Sequence, residues 1–332
     1  MRGRDVGEGA FVNVLVVGGS GQFGRKTVAR LLRDPEVTSV VSMDVAPPAA
    51  WFLKLIEENA GKFRFVRGDI SQLEDLLDII SRYSIDCLVN WAMVMTLELS
   101  PRLNTKVGVL GMCNVFEAAR LSGIKRVVYA SSETVYGSQD DYGDREVVED
   151  DRLYMGPGHF YALAKRLAEI MANEYSQLYG LHCTGLRPNI VYGHGAKEPF
   201  VVRWFSDIVS LPAVGEPVVY DIDGKSLWSL LTPDDIGEFT WRLLKAPSSP
   251  HPVYNLGGPP YCLQDVADVV RSYLPDAEIT FGAERGREEL PWKVSCARAK
   301  EDFDFTVMPL EQAVLVHIND ARFEARLPPI VR

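Results

Sequence analysis

The sequence predicts an α/β protein with a doubly wound parallel sheet and a smaller C-terminal α+β lobe. Three observations predict it. In the first half, short β-branched runs alternate with longer amphipathic stretches, the pattern of a parallel sheet covered on both faces. A glycine-rich turn joins the first such run directly to the first amphipathic stretch. Beyond RPNIVYGHG the rhythm breaks: prolines and glycines become frequent and the strand-like runs shorten.

The strand candidates, in order, are FVNVLVV (11–17), TSVVSM (38–43), KFRFVR (62–67), IDCLVN (85–90) and KRVVYA (125–130), with LHCTGLR (181–187) extending the sheet. Helices are expected between them near 22–33, 49–60, 71–83, 102–122 and 160–180. In the rear portion they are expected near 199–210, 233–245, 263–273 and 309–320. The stretches SLWSLLTPDDIGEFTWRLLK and PVYNLGG are expected to return in part to the sheet. The implied division is a sheet domain over 11–190 with returning segments near 229–257. The remaining segments of 191–320 form the second lobe, and 1–10 and 321–332 are tails.

At 332 residues the chain can bury one or two sizeable cores. A net charge of −10 argues against general nucleic-acid binding. The five cysteines (87, 113, 183, 262 and 296) are scattered and form no CxxC pair. That pattern fits reduced thiols in a cytoplasmic protein, not a disulfide framework or zinc site. The five histidines show no metal-ligand spacing. No run approaches the roughly 18 apolar residues of a membrane span.

VLVVGGSGQFGRKTVARLL places Gly18, Gly21 and Gly24 after the first strand, with Gln22 and Phe23 inside the turn. A tight strand-to-helix turn needs glycine freedom, and a pyrophosphate must approach main chain with no β-carbon in the way. The spacing is GxxGxxG, a variant of the commonest dinucleotide fingerprint. Asp44 ends the second strand 20 residues after Gly24, where a carboxylate can bond an adenosine ribose and favour NAD. RGDI supplies Asp69 and Ile70, adenine neighbours or ordinary turn residues.

HFYALAKR puts Tyr161 and Lys165 one helical turn apart on one face. An ammonium beneath a phenol lowers its pKa and suits it to trade protons with an alcohol. YASSETVYG ends the fifth strand, so Ser131, Ser132, Glu133 and Thr134 fall at the ligand crevice of such a sheet.

Taken together, GGSGQFG, Asp44, GDI, SSETVYG, YALAK, LRPNIVYG, TPDDIGEF and VYNLGG resemble the extended short-chain dehydrogenase/reductase superfamily. The branch they resemble is the NAD-dependent epimerase/dehydratase family, over roughly residues 11–320. The resemblance implies a Rossmann-type cofactor domain and a substrate-binding lobe. It also implies catalytic roles for Ser132, Tyr161 and Lys165, with Lys165 contacting the nicotinamide ribose. Pro188 falls beside the nicotinamide and Thr134 beside the substrate. Glu133 falls where sugar dehydratases carry an acid for the leaving hydroxyl. The implied activity is hydride transfer at a secondary alcohol or ketone of a sugar or similar polyhydroxylated compound. A nucleotide-sugar 4-epimerase, a sugar dehydratase and a non-catalytic NAD-sensing protein are the alternatives.

Three positions depart from the family pattern. Gly108 stands where an asparagine is usual, with Asn104 one turn earlier. Ile190 stands where nucleotide-sugar enzymes place a diphosphate-binding asparagine, and Asn189 is one place early. Trp228 stands where they carry an arginine, and an indole cannot replace its paired bonds to phosphate; Trp228 and Asn189 are, with Glu133 and Thr134, the candidate substrate-binding residues. Arg203, Arg285, Arg287 and Arg298 are candidate substitutes, or surface residues. His159 is a candidate pocket residue, or a loop histidine. The acidic run 138–152 reads as a solvated loop or as a substrate lid. Small residues on the helices near 102–122 and 161–180 suit a homodimer interface, as the resemblance implies.

Overall fold

The computed structural model describes residues 12–94, 100–154, 160–196, 200–286 and 290–331. The N-terminal tail, His159 and Arg287 lie outside the described residues.

The first half alternates as expected. It runs β1 (Val12–Val17), α1 (Gln22–Leu32), β2 (Val37–Asp44), α2 (Ala50–Leu55), β3 (Phe63–Arg67), α3 (Leu73–Tyr83) and β4 (Cys87–Asn90). It continues with α4 (Pro101–Asn104), α5 (Gly111–Ser122), β5 (Arg126–Ala130), α6 (Phe160–Tyr179) and β6 (His182–Pro188). After these come β7 (Ile190–Val191), α7 (Phe200–Ala213), β8 (Val218–Ile222), β9 (Trp228–Leu231), α8 (Pro233–Lys245), β10 (Val253–Leu256) and β11 (Pro260–Tyr261). The chain closes with α9 (Leu263–Tyr273), β12 (Ile279–Glu284), α10 (Ala297–Phe303) and α11 (Leu310–Glu324).

Seven parallel strands form one sheet in the order β10-β6-β5-β4-β1-β2-β3. The order reverses between β1 and β4, which opens a crevice at the carboxyl ends of those strands. Val14, Leu15 and Val16 are fully buried because helices cover both faces. Side chains of α1, α2 and α8 fill one face, and those of α3, α5 and α6 the other. Each buried valine or leucine contributes about 1.5–3 kcal/mol over exposure.

β10 joins the large sheet beside β6, whereas β9 pairs with β7 and β11 in a separate three-stranded sheet. β8 and β12 form a parallel pair, and α7, α9 and α11 bury a second core against β7–β9. Lys26 on α1 bridges Asp234 of α8 (3.0 Å) and Asp320 of α11 (2.5 Å).

The helix expected over 102–122 is not uniform. A π-helical stretch, Thr105–Leu110, separates α4 from α5. A β-carbon on Gly108 would lie 2.9 Å from Ala164 Cβ. The usual asparagine is therefore excluded by the approach of α6, not merely replaced.

Candidate functional site

The glycine turn sits at the β1/β4 reversal. Gly18 has φ +77°, and a β-carbon there would come within 2.5 Å of Ala92 N at the end of β4. A β-carbon on Gly24 would strike Gly18 O at 2.2 Å. Gly21 caps α1 in an extended conformation, and no side chain bonds to the helix start. Its first-turn N–H groups and positive dipole end therefore suit phosphates. Gln22 Nε2 donates to Gly193 O (2.9 Å), and Phe23 packs edge-on against Trp91.

Asp44 stands at the end of β2, half-buried, accepting from Ser20 N (3.1 Å) and Ala46 N (3.2 Å). Ser20 lies within the glycine turn, so the carboxylate and the phosphate cradle are joined. This donor and acceptor set fits a dinucleotide. Asp69 is engaged elsewhere, by Ser71 N (2.9 Å), Ser71 Oγ (2.8 Å) and Lys106 Nζ (3.2 Å). Burial works to raise its pKa, but these partners hold it below the usual carboxylate range. Ile70 is buried over Gly111, and its carbonyl accepts from Asn114 Nδ2 (3.0 Å).

Ser132, Tyr161 and Lys165 converge. Ser131 N donates to Leu186 O (2.7 Å), which keeps the ends of β5 and β6 level and delivers Ser132 to the crevice beside buried Pro188. Tyr161 is hydrogen-bonded to Ser132. Lys165 Nζ lies 5.2 Å from the centre of the Tyr161 ring and donates to Ala130 O (2.9 Å). Ser132 Oγ donates to Glu133 Oε2 (3.2 Å), and both residues are buried.

The electrostatics correct one expectation. Lysine was expected to lower the tyrosine pKa. Instead, burial first and Glu133 second push Tyr161 above its ordinary value, and the hydrogen bond shared with Ser132 only partly offsets them. Burial also pushes Lys165 down to about 7, with Glu133 opposing, so its charge is the weaker partner. Glu133 is pushed up to about 7, again chiefly by burial.

Spacing did not reveal the buried network behind the serine. Arg187 on β6 grips Glu169 of α6 through Nε (2.8 Å) and Nη2 (2.7 Å). Its Nη1 donates to Tyr136 OH and to Glu149 O (3.1 Å). Ser131 Oγ bonds Glu169, and Tyr136 OH donates to Asn255 Oδ1 (2.6 Å). A signal existed: Glu169 follows Lys165 by one turn, on the face that carries Tyr161.

Thr134 Oγ1, both amide atoms of Asn189 and Asn104 Oδ1 are buried with no hydrogen-bond partner among the described residues. Trp228, expected to touch substrate, is instead 3% exposed in the C-terminal core with Ile190. The suggested substitutes are mostly committed: Arg203 pairs with Asp207 (3.1 Å), and Arg298 with Asp150 (2.5 Å) and Glu149 (3.8 Å). Arg285 is exposed. The acidic run is pinned at a few points, while Asp140, Asp141, Glu146 and Asp150 stay exposed. Val147 bridges to Val294, Gln139 accepts from Trp292 N and Lys293 N, and Glu149 accepts from Asn255 N (3.0 Å).

Among the described residues, no cluster of three or more His, Cys, Asp or Glu could hold a metal ion. No described helix is long and apolar enough to cross a membrane.

A sequence model of the NAD dependent epimerase/dehydratase family matches residues 14–257. UDP-glucose 4-epimerase of Mycolicibacterium smegmatis is 32% identical over 205 residues, which is 59% of this chain and 62% of that enzyme. The chain thus matches less than two thirds of that relative's length. L-threonine dehydrogenase from Clostridium difficile superposes with a TM-score of 0.80 at 16% identity, covering 95% of this chain and 99% of that one. UDP-glucose 4-epimerase of Thermus thermophilus, in complex with NAD, superposes with a TM-score of 0.73 at 23% identity, over 94% and 99%. At these identities the superpositions establish the fold. With the match of the family model over most of its length, the chain belongs to the NAD-dependent epimerase/dehydratase family.

Proposed function

We propose that the chain is an NAD-dependent oxidoreductase or epimerase acting at a secondary alcohol or ketone of a small polyhydroxylated substrate. The convergence of Ser132, Tyr161 and Lys165 at one strand end carries this reading. Gly18, Gly21 and Gly24 with the start of α1 would hold the pyrophosphate, and Asp44 the adenosine ribose. Lys165 would lie against the nicotinamide ribose, with Pro188 beside the ring. Bound NAD supplies the hydride acceptor. Tyr161 exchanges the proton of the substrate oxygen, and Ser132, bonded to Tyr161, positions the phenol for that exchange. Thr134 and Asn189 offer unpaired polar atoms for substrate hydroxyls. Return of the hydride to the opposite face gives epimerisation; release of the ketone gives dehydrogenation.

Within this reading, residues 11–190 with α8 and β10 form the cofactor lobe, and most of the remaining segments form the substrate lobe. A substrate without a nucleoside diphosphate is favoured by Trp228 and Ile190, which are both sealed in a core. The second reading is a nucleotide-sugar 4-epimerase. It is favoured by the likeness to the mycobacterial enzyme.

The test is to incubate the purified protein with NAD and a panel of sugars and sugar acids. NADH should accumulate for a dehydrogenase, and bound NAD should be retained without net reduction for an epimerase. UDP-sugars should add nothing. No bound NAD and no reduction would defeat the proposal, and equal use of NADP would remove the role given to Asp44.

We also propose a homodimer through α4–α5 and α6, whose Leu103, Leu110, Leu121, Leu163, Ile170 and Leu178 are exposed apolar residues. Equilibrium sedimentation should return twice the chain mass, and Ile170→Glu should shift it to one. The five cysteines are free thiols, which supports a cytoplasmic setting.

A further inference from the structure

The hydrogen bonds around Ser132 have a direction. Ser132 Oγ donates to Glu133 Oε2 (3.2 Å) while accepting from Thr134 N (3.3 Å). A hydroxyl carries one hydrogen. With that hydrogen given to Glu133, the bond between Ser132 and Tyr161 has the phenol as donor. Tyr161, Ser132 and Glu133 therefore form a chain whose donors all point one way, and it ends on a carboxylate that is 4% exposed.

Among the described residues facing Glu133, the cation that acts on it is the Lys165 ammonium, which works to lower its pKa. From α6 come Tyr161 and Lys165, whose ammonium donates to Ala130 O. Farther along α6, Arg166 is bound to Tyr154 O and Glu169 is held by Arg187 and Ser131.

We propose that Glu133 is the terminal proton acceptor of the site. The inference rests on the hydride-transfer reading above. As the substrate O–H breaks, its proton goes to the Tyr161 oxygen. The proton of Tyr161 passes to Ser132, and that of Ser132 to Glu133. The electron pair left on the substrate oxygen forms the C=O bond, and the hydride reduces the nicotinamide. Run backward, the same chain returns the proton. Glu133 thus stores the proton while the ketone exists.

The proton affinities agree with that direction. Burial holds Tyr161 above its ordinary range and lifts Glu133 to about 7. The group whose proton affinity matches neutral pH is the carboxyl, not the phenol. Below that value Glu133 is already protonated and the chain has no acceptor.

The test compares wild type, Glu133→Gln and Glu133→Asp as NAD-loaded enzymes. Gln is isosteric and keeps a bond from Ser132. Turnover in Glu133→Gln should fall about 10²–10⁴-fold, the range for a lost proton acceptor. NADH binding, read by fluorescence, should not change. The acidic limb of the pH–rate profile should vanish in Glu133→Gln and return, shifted, in Glu133→Asp. A Glu133→Gln enzyme that works within about threefold of wild type, or keeps the limb, overturns the proposal. A dehydrated product from wild type would assign Glu133 to the leaving hydroxyl and overturn it too.

A second readout needs no substrate. The infrared carbonyl band of the buried carboxyl, taken as wild type minus Glu133→Gln, should disappear across about pH 7. A carboxyl ionised throughout that range overturns the relay. If wild type neither reduces NAD with any alcohol nor epimerises one while the band titrates as stated, the functional reading fails and takes the relay with it; if wild type turns over and the band does not titrate, the relay alone fails.

Discussion

Tyr161→Phe is expected to lower hydride transfer by about 10²–10⁴-fold while leaving NAD affinity unchanged. The variant removes one oxygen from a ring that stays in place over the Lys165 ammonium, 5.2 Å from its centre. Ser132 and Glu133 keep their mutual bond, so the pocket does not collapse. What disappears is the link between substrate oxygen and Ser132. The loss should appear in kcat, because the missing group acts as charge moves. Following NADH formation beside NADH fluorescence separates the two quantities. A phenylalanine enzyme with unchanged turnover would remove the proposed role of Tyr161.

Arg187→Ala is expected to cost about 3–5 kcal/mol of stability, the range for stripping one partner from a buried ion pair. Glu169 would remain 8% exposed with its cation gone, and Tyr136 and Glu149 would each lose a donor. Urea or thermal unfolding measures this directly. Replacing Arg187 and Glu169 together by methionine and leucine should cost less than Arg187→Ala alone, because no charge is then stranded. A loss below about 1 kcal/mol would mean that water reaches Glu169 and the pair is not dry. Activity should fall with stability, since Glu169 also receives Ser131, the neighbour of Ser132.

Much of the large sheet was legible because parallel strands buried on both faces read as apolar runs between amphipathic helices. Strands β1–β6 and the helices between them could be placed this way. The β8–β12 pair was not legible. Val219 is 74% exposed and Val218 buried, a half-wet alternation too short to stand out. α10 was missed because ARAKEDF carries few apolar residues. The close approach of Gly108 to Ala164 joins residues distant in sequence, so spacing could not show it.

At the site, spacing brought out Ser132, Tyr161 and Lys165, since a helical turn and a strand end are local matters. The sign of the tyrosine shift was not local. It follows from how completely the phenol, Lys165 and Glu133 are removed from water. Nor does a tryptophan beside a strand reveal which face it presents; Trp228 faces a core built by helices far along the chain.

The ammonium of Lys26, shared between Asp234 and Asp320, has a mechanical consequence. It rivets α1, whose start is proposed to receive the phosphates, to elements of the rear half at two points. That helix cannot serve as a pivot when ligands enter or leave. Any breathing of the mouth has to be taken up by the connections on the far flank, while the floor beneath the nucleotide stays still.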